Sequence, residues 1–346
     1  MRWNEMYIAA TGSCFPERDD CARAVAEGRY DAQEHERNGY RSISVAGEMS
    51  AADMAVSAAG QGLARSGHTG DDIGLVLHAD VHHQGQDHWT PASYIQERVT
   101  GGRAPAIEIK QGSNGGLAGL VLALSYLSAH TGQDAALVTA ADKFCPPAYD
   151  RYRSDKWMVL GDGASAAVLS RRGGFARVLA TAMDSDPGLE EMYRGSGFTD
   201  APFSTGLPLD LRERKREYMD RLGLAEVALR CSVGLQNVVK EALGDAGTDI
   251  DDIARFVFPN VGRSLVQWDY LDAFGIDEER TTWEWGSGIG HAGAGDQFGG
   301  LDHLVAAGAL SAGDRVVLAG SGIGFSWACA VLEIVEPPTW HQQGDA

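Results

Sequence analysis

The stretch Glu108-Ile-Lys-Gln-Gly-Ser113-Asn-Gly-Gly-Leu-Ala-Gly-Leu-Val-Leu-Ala-Leu-Ser-Tyr-Leu127 joins a short apolar strand to a long apolar helix through a glycine-flanked turn. The strand is predicted over residues 106–109, and the helix is predicted to begin near Gly115. Ser113 lies on the turn, so its hydroxyl is expected where the N–H groups of a helix N-terminus converge. Such a terminus carries about +0.5 of an elementary charge and can stabilise a developing oxyanion. The stretch therefore predicts either a nucleophile elbow or a simple helix N-cap, for which serine is a preferred residue.

The composition of the chain limits the classes of function. Its 346 residues suggest two domains or one large duplicated domain. The net charge of −19 argues against nucleic acid as a partner, since binding phosphates requires a basic face. The five cysteines are scattered without C-x-x-C spacing, which predicts a reduced cytoplasmic protein with no zinc or disulfide framework. No apolar run reaches membrane length and the N-terminus lacks the features of a signal peptide, so no membrane association is expected.

Two rounds of similar elements are predicted along the chain. Each round has a helix, a strand, a helix, a strand, a glycine-rich turn before another helix, and two closing strands. Ser113 and His291 lie on the equivalent turns, so a duplication would bring them face to face at a pseudo-twofold axis. A strand near residues 281–284 is predicted to precede the second turn. The resulting division is an N-terminal half over residues 1–170, an excursion over residues 171–225 and a C-terminal half over residues 226–346.

The segment from His78 to Trp89 is rich in histidine and aspartate. A metal site is one interpretation, but the spacing of these residues matches no recognised ligand motif. We favour a polar loop near the mouth of the site, with no metal bound.

A predicted helix over residues 210–218 concentrates positive charge on an otherwise acidic chain. Its basic residues are Arg212, Arg214, Lys215 and Arg216. Such a run is usually a solvated face. The functional interpretation is a docking site for an acidic carrier protein or for a pantetheine phosphate, and Trp89 is a further candidate for docking of the substrate or carrier.

Several motifs occur together in one order along the chain. They are the Ser113 turn, Gly161-Asp-Gly-Ala-Ser-Ala-Ala-Val-Leu169, the loop from Gly290 to Asp296, and Gly322-Ile-Gly-Phe-Ser-Trp327. Together they resemble the thiolase superfamily, and within it the chain is similar to β-ketoacyl-acyl-carrier-protein synthase III and its acyltransferase relatives. The resemblance implies an α/β, thiolase-like fold with a duplicated five-layered αβαβα arrangement. It also implies a homodimer that retains no cofactor and takes its donor as a thioester of coenzyme A or of an acyl carrier protein.

The departures from this family fall on the catalytic positions. Ser113 stands where the family has its acylated cysteine, Asn260 where it has histidine, and His291 where it has asparagine. Because a serine hydroxyl needs an adjacent base, His291 is the candidate base. Asp296 is the candidate third group that fixes the tautomer of the base, with helix capping as the alternative. Asn260 is then expected to orient an acyl carbonyl or the acceptor.

Two further features of the site are expected. The backbone N–H groups of Ser113 and Ile323 would form the oxyanion hole, although the family has glycine at the position of Ile323. Aromatic residues could line a pocket the size of an aromatic group or could equally belong to the core. They are Trp89, Tyr149, Trp157 and Trp268.

The leading hypothesis is an acyltransferase of secondary-metabolite biosynthesis, such as an antibiotic or polyketide pathway. An acyl group, which includes the aromatic ones, would pass from the thioester to Ser113 and then to a hydroxyl, amine or thiol of a small-molecule acceptor. One alternative is a ketosynthase that selects polyketide starter units and still forms a carbon–carbon bond. The other is a partner subunit without catalytic activity. The coordinated exchange at Ser113, Asn260 and His291 favours acyl transfer.

Overall fold

The computed structural model describes residues 1–198, 206–338 and 340 of the chain. Within these residues, nine strands form one mixed sheet in the order β5-β4-β6-β7-β1-β8-β11-β10-β9, and β2 pairs with β3 separately. The strand bounds are β1 Tyr7–Cys14, β2 Arg18–Asp20, β3 Ser42–Ser44, β4 Ile73–Ala79, β5 Ala106–Ile109, β6 Ala135–Asp142, β7 Gly163–Ser170, β8 Ala176–Ser185, β9 Ile253–Val257, β10 Arg315–Gly322 and β11 Ser326–Ile334.

Helices connect and cover these strands. Their bounds are α1 Cys21–Ala26, α2 Ala32–Asn38, α3 Ala51–Arg65, α4 Pro91–Val99, α5 Gly115–Ala129, α6 Glu191–Arg194, α7 Leu211–Leu222, α8 Leu224–Ala246, α9 Arg263–Leu265, α10 Asp272–Phe274, α11 Trp283–Gly286 and α12 Asp296–Ala306. A π-helical stretch, Val266–Leu271, makes α9 and α10 one continuous helix. Among the helices described, none has the length and apolar character needed to cross a membrane.

The order of strands shows the duplication. Reading from one edge, β5-β4-β6-β7-β1 is followed by β8-β11-β10-β9, which is the same arrangement reversed. The two runs meet where β1 pairs with β8. Thr281 forms an isolated bridge with Phe256 beyond β9, at the place that β5 occupies in the first half. The duplicated arrangement predicted from the sequence is therefore confirmed.

Three hydrophobic clusters show how the layers are stacked. The middle cluster contains α5 and α12 together with inward side chains of strands from both halves. A second cluster packs α3 and α4 on the outer face of the first half, and a third packs α8 on the outer face of the second. Because α5 lies between strands of both halves, it is apolar on most of its circumference. The result is the expected αβαβα order of five layers.

Two predictions about the chain path are wrong. The sequence predicts that residues 176–185 are part of the excursion, yet they form β8, which is the second-half counterpart of β1. Its outer end is exposed, so its apolar pattern is interrupted by polar residues and the periodicity is weak. Residues 281–284 form no strand, because Thr281 makes only a single bridge and the helix α11 begins at Trp283.

The parallel strands position the site. β4 is parallel to β5 and β6, and β9 is parallel to β10. Because parallel strands end at the same edge of a sheet, the turns that follow them converge, and ligands bind at such edges in α/β folds. Ser113 follows β5 and Asn260 follows β9, so the candidate residues of both halves meet at the carboxyl ends of the strands.

Candidate active site

Ser113 lies in the single 3₁₀ turn Gly112–Asn114 between β5 and α5. Gly112 has φ +56°, a conformation that residues with a Cβ rarely adopt, and a Cβ there would lie 2.5 Å from Cγ1 of Ile323. The N-cap of α5 is Asn114, and the Ser113 hydroxyl makes no capping bond. The helix-cap interpretation of Ser113 is therefore wrong, because its Oγ is 2.7 Å from Nε2 of His291.

His291 connects Ser113 to a buried carboxylate. Its Nδ1 is 2.6 Å from Oδ2 of Asp296. A carboxylate only accepts, so the proton of the neutral ring is on Nδ1, and Nε2 is left to accept the hydroxyl hydrogen of Ser113. The backbone of His291 is fixed on both sides, since its N–H donates to Val159 and its carbonyl accepts from Gly161. The three side chains have the arrangement of a nucleophile, a base and an orienting acid.

Asp296 is fully satisfied by donors around it. Besides His291, it accepts from the backbone N–H of Ala292 at 2.9 Å and of Asn260 at 2.8 Å. Its carboxylate does not cap its own helix, in which Asp296 is already the first residue and Gly295 is the N-cap. The capping alternative is therefore wrong, and the carboxylate instead holds His291 and the two loops beside it.

The structure places Asn260 behind the site. Its amide nitrogen donates to Oδ1 of Asp296 at 3.2 Å, and its amide oxygen packs against Gly286. Its neighbours Pro259 and Val261 line the cavity at Ser113, whereas Asn260 does not. Asn260 therefore supports the acid, and the expectation that it orients an acyl carbonyl is wrong because its side chain points away from the cavity.

The pKa of His291 is set by two opposing effects. Burial disfavours the charged ring, while the Asp296 carboxylate favours it through its charge and its hydrogen bond, and the pKa of His291 is raised overall. A raised pKa makes the ring a stronger base toward the Ser113 hydroxyl.

Asp142 is a buried carboxylate that our sequence analysis missed. Its oxygens accept from the backbone N–H groups of Val81 and His82, both at 2.8 Å, and of Ala294 at 3.1 Å. It therefore ties the loop after β4 to the loop that carries His291. Burial, together with the charge of Asp80, raises the pKa of Asp142 to about 7. An acidic residue closing an otherwise apolar strand is the signal that could have identified it.

The two backbone groups expected to form the oxyanion hole lie in adjacent turns. A Cβ on Gly112 would be 2.9 Å from the backbone nitrogen of Ile323, so the elbow and the β10–β11 turn pack backbone to backbone. The first N–H groups of a helical segment have no partner inside it, and Ser113 is in that position. In the described part of the chain, the N–H of Ile323 donates to no acceptor.

A cavity of about 170 Å³, here called the inner cavity, opens beside Ser113 and His291. Most of its wall is apolar, and the main contributors are Phe144, Tyr149, Met158, Leu160, Leu209 and Val261. A cavity of about 150 Å³ is known to hold one benzene ring. The inner cavity therefore has room for a compact group of about that size next to the Ser113 hydroxyl.

Of the four aromatic residues proposed for the pocket, only Tyr149 lines the inner cavity. Trp157 and Trp268 contact each other edge to face with ring centroids 5.8 Å apart. Trp89 is 40% exposed and packs on Tyr94. None of these three tryptophans lines the inner cavity, whereas Phe144, which was not among the four candidates, does.

Two of the four basic residues of α7 are used inside the protein. Arg212 forms a bidentate pair with Glu34, at 2.6 and 2.8 Å. Lys215 is buried and pairs with the buried Asp155. Because these charges are already neutralised, a docking role is left to the other two residues.

Arg214 and Arg216 lie on different sides of the helix. Arg214 lines the inner cavity and donates to the carbonyl of Tyr193 at 2.9 Å. Arg216 is exposed and contacts only Glu213 within the described residues, at 3.2 Å.

The histidine-rich segment forms the loop after β4. His78 is buried at the end of that strand, with Nδ1 2.9 Å from Oγ1 of Thr139, and burial lowers its pKa. His82 and His83 turn to a second cavity beside the site. In the residues that the structure describes, no three histidine, cysteine or acidic side chains are grouped as metal ligands.

Comparison with family models covers both halves of the chain. Residues 107–187 match the model described as "3-Oxoacyl-[acyl-carrier-protein (ACP)] synthase III", and residues 243–334 match the model of its C-terminal part. The first match contains Ser113, and the second contains Asn260, His291 and Asp296.

Individual proteins give the same result. A β-ketoacyl-acyl-carrier-protein synthase III of Rhizorhabdus wittichii is 28% identical over 94% of this chain and 98% of its own length. A solved structure described as "ChlB3 [Aceyltransferase]" is 38% identical, with a TM-score of 0.92 over 97% of this chain and all of that one. The 3-oxoacyl-acyl-carrier-protein synthase III of Pseudomonas aeruginosa has a TM-score of 0.78 at 22% identity, covering 96% and 99% of the two chains, which shows a shared thiolase-like fold.

Proposed function

The chain belongs to the 3-oxoacyl-acyl-carrier-protein synthase III family of the thiolase superfamily, and we propose that it is a ping-pong acyltransferase that carries the acyl group on Ser113. The observation that carries the proposal is the hydrogen-bonded chain from Ser113 through His291 to Asp296. The 38% identical relative that is described as an acyltransferase supports the same activity.

The first half-reaction forms an ester. The Ser113 oxygen attacks the thioester carbonyl while His291 Nε2 takes the hydroxyl proton. The carbon–oxygen bond forms, the carbon–sulfur bond breaks, and the thiol leaves with the proton returned by His291. Negative charge on the carbonyl oxygen is stabilised by the N–H groups of Ser113 and Ile323, a type of contact worth about 10²–10³ in rate for each donor.

The second half-reaction releases the acyl group to the acceptor. His291 removes a proton from the acceptor hydroxyl, amine or thiol as its heteroatom attacks the ester carbonyl. The new bond forms, the ester bond to Ser113 breaks, and the serine oxygen recovers its proton from His291. The same base thus serves both steps, and a partner subunit without catalytic activity would have no need of it.

The position of Asn260 favours transfer over condensation. In the condensing enzymes that this chain resembles, a histidine and an asparagine hold the carbonyl of a malonyl thioester during decarboxylation. Here Asn260 donates to Asp296 and His291 is engaged with Ser113. Neither side chain is left to hold a second thioester carbonyl, so a starter-unit ketosynthase is the weaker alternative.

We place the donor thioester at an aromatic and basic surface beside the inner cavity. The guanidinium carbon of Arg37 is 5.0 Å and the amine of Lys156 is 5.3 Å from the ring centroid of Trp157. Met158, the next residue, lines the cavity. These groups, with Arg214 inside the mouth, suit the phosphate and pantetheine arm of coenzyme A or of an acyl carrier protein.

A second copy of the chain is the partner that we propose for the free edge of the sheet. β5 is the edge strand of the first half, and exposed edge strands readily pair with another strand. Apolar side chains are exposed beside it, since Ile107 is 50% and Leu122 is 52% accessible. The homodimer, the acceptor and the pathway remain predictions.

The test is intact-protein mass spectrometry after incubation with a panel of acyl thioesters. We expect a mass gain equal to the acyl group in the parent protein and none in Ser113→Ala. Loss of the adduct when an acceptor amine or alcohol is added would establish the second half-reaction. The mechanism would be overturned if the adduct persists in Ser113→Ala or if no thioester gives an adduct. A partner subunit without catalytic activity would then be the favoured hypothesis.

A further inference from the structure

A second, larger cavity lies directly behind the wall of the inner cavity. This outer cavity measures about 580 Å³ and is lined by the loop His82–Gly85 and the segment Cys145–Ala148. Among the residues that the structure describes, none lines both cavities. Neighbouring residues on the same backbone face opposite sides, with Phe144 lining the inner cavity and Cys145 the outer one. The partition therefore consists of side chains that face the inner cavity, packed against side chains that face the outer one.

The partition consists of three rings in mutual contact. The centroid of His82 is 4.8 Å from that of Tyr149, with the rings nearly perpendicular, and 6.3 Å from that of Phe144, with the rings nearly parallel. Phe144 and Tyr149 are themselves 5.2 Å apart. Such spacings are those of attractive aromatic pairs, so the three rings form a continuous surface.

His82 is held in this position from its backbone. Its N–H donates to Oδ1 of Asp142 at 2.8 Å, and its carbonyl accepts from the side chain of Gln84 at 3.1 Å. Burial, and then the charge of His83, lower the pKa of His82 to about 4. The ring is therefore neutral near pH 7, as suits an apolar wall.

We propose that the ring partition of His82, Phe144 and Tyr149 determines acyl specificity by limiting the inner cavity to short or single-ring acyl groups. The inference rests on the proposed acylation of Ser113. A space of about 170 Å³ is close to the volume of about 150 Å³ that holds one ring, and we expect an extended alkyl chain to exceed it. The outer cavity alone lies within the range of about 300–1,000 Å³ that is typical of ligand sites. Removing one of the rings would deepen the inner cavity toward the outer one and admit a longer acyl chain.

The experiment compares acyl adduct formation by intact-protein mass spectrometry with N-acetylcysteamine thioesters. The acyl groups are butanoyl, benzoyl, octanoyl and dodecanoyl. The variants are His82→Ala and Tyr149→Ala, and the matched control is His83→Ala, which lines the outer cavity beside His82 but not the inner one. Thermal unfolding of each variant checks the fold, and His82→Ala decides alone if Tyr149→Ala does not fold.

We expect the parent protein and His83→Ala to form butanoyl and benzoyl adducts quickly and the octanoyl and dodecanoyl adducts slowly. In the opened variants, acylation by the long chains relative to benzoyl should rise by about fourfold for each additional methylene buried. Two results would overturn the role of the ring partition and leave the acyl-serine mechanism in place. In one, His82→Ala and Tyr149→Ala have the same relative rates for the four acyl groups as the parent protein. In the other, the parent protein accepts dodecanoyl as readily as benzoyl. A parent that forms no adduct with any thioester would overturn the proposed function and the partition with it.

Discussion

The Ser113 hydroxyl oxygen lies 2.7 Å from Nε2 of His291, although the two residues are 178 positions apart in the chain. Each comes from the same kind of turn in a different half of the duplicated fold. Ser113 belongs to the first half and His291 to the second, so this reactive pair exists only where the two halves meet. The loops are brought together by small residues, since Gly115 and Gly116 of one pack against Ala294 of the other.

The dependence of Ser113 on His291 can be measured by changing both residues. His291→Ala should slow acylation by about 10²–10⁴-fold, the usual contribution of a general base. In a Ser113→Cys background the same change should cost less, because a thiol is already partly ionised near neutral pH. The rates of adduct formation in the parent protein, the two single variants and the double variant give the coupling energy between Ser113 and His291. Equal losses in both backgrounds would show that His291 does not act on the nucleophile.

Asp296→Asn should lower the acylation rate and shift its pH profile. The Asp296 charge raises the pKa of His291 against the opposing effect of burial, and only the neutral ring acts as base. The parent rate should therefore fall as the pH drops through that raised pKa. In Asp296→Asn this fall should occur at lower pH, and the plateau should drop by up to about 10⁴-fold because the tautomer is no longer fixed. An unchanged midpoint in the pH profile of Asp296→Asn would contradict the role assigned to Asp296, even if part of the variant protein is unfolded.

Asn260→Asp should destabilise the protein in a pH-dependent way. The new carboxylate would lie 3.2 Å from Oδ1 of Asp296, in a buried site. Like charges at this distance raise the folded-state pKa above the unfolded value of about 3.9. The folded protein then binds more protons than the unfolded chain between the two values, so the free energy of unfolding falls as the pH rises through that window.

The measurement for Asn260→Asp is denaturant unfolding at pH 5 and pH 8. We expect a loss of about 3–5 kcal/mol at the higher pH, as for an uncompensated buried charge. Asn260→Ala is the control, because it removes the amide without adding a charge and should show no added pH dependence. The same stability at both pH values would mean that Asn260 is not packed against the carboxyl group of Asp296.

Gly112→Ala should weaken both the fold and the oxyanion hole. The left-handed conformation alone costs a residue with a Cβ about 1–2 kcal/mol, and the new Cβ would press on the backbone nitrogen of Ile323. We expect a lower unfolding midpoint and slower acylation. Gly132→Ala is a control at a glycine with open space around it, and it should change neither quantity.

The basic residues of α7 should separate into structural and surface types. Lys215→Met leaves the buried Asp155 without its partner and should cost about 3–5 kcal/mol of unfolding free energy. Arg216→Met removes a charge paired only across the surface and should change stability by about 0.5 kcal/mol or less. Thermal or denaturant unfolding distinguishes the two. If the two substitutions change the free energy of unfolding equally, the basic residues of α7 form one solvated face.

Local patterns determined most of the secondary structure. The continuous apolar run 73–79 predicted β4, and the glycine-flanked turn before a long apolar helix predicted the bounds of β5 and α5. These predictions held because burial on both faces leaves a clear signal in neighbouring residues. β8 escaped prediction because its exposed end mixes polar residues into the strand.

The identities of the chemical groups at the site were also available from the sequence. The equivalent turns of a duplicated chain predicted that Ser113 and His291 come together, and Asp296, five residues after His291, was the candidate third group. The side-chain directions were not available. Whether Asn260 faces the cavity or the acid, and whether Lys215 faces solvent or Asp155, depends on the packing of segments far apart in sequence. The ring partition likewise joins His82 to Phe144 and Tyr149 across two loops. The periodicity of neighbouring residues indicates which residues are buried. The distance between two loops is determined only when the layers of the fold pack, because each contact between loops depends on the sequences of both.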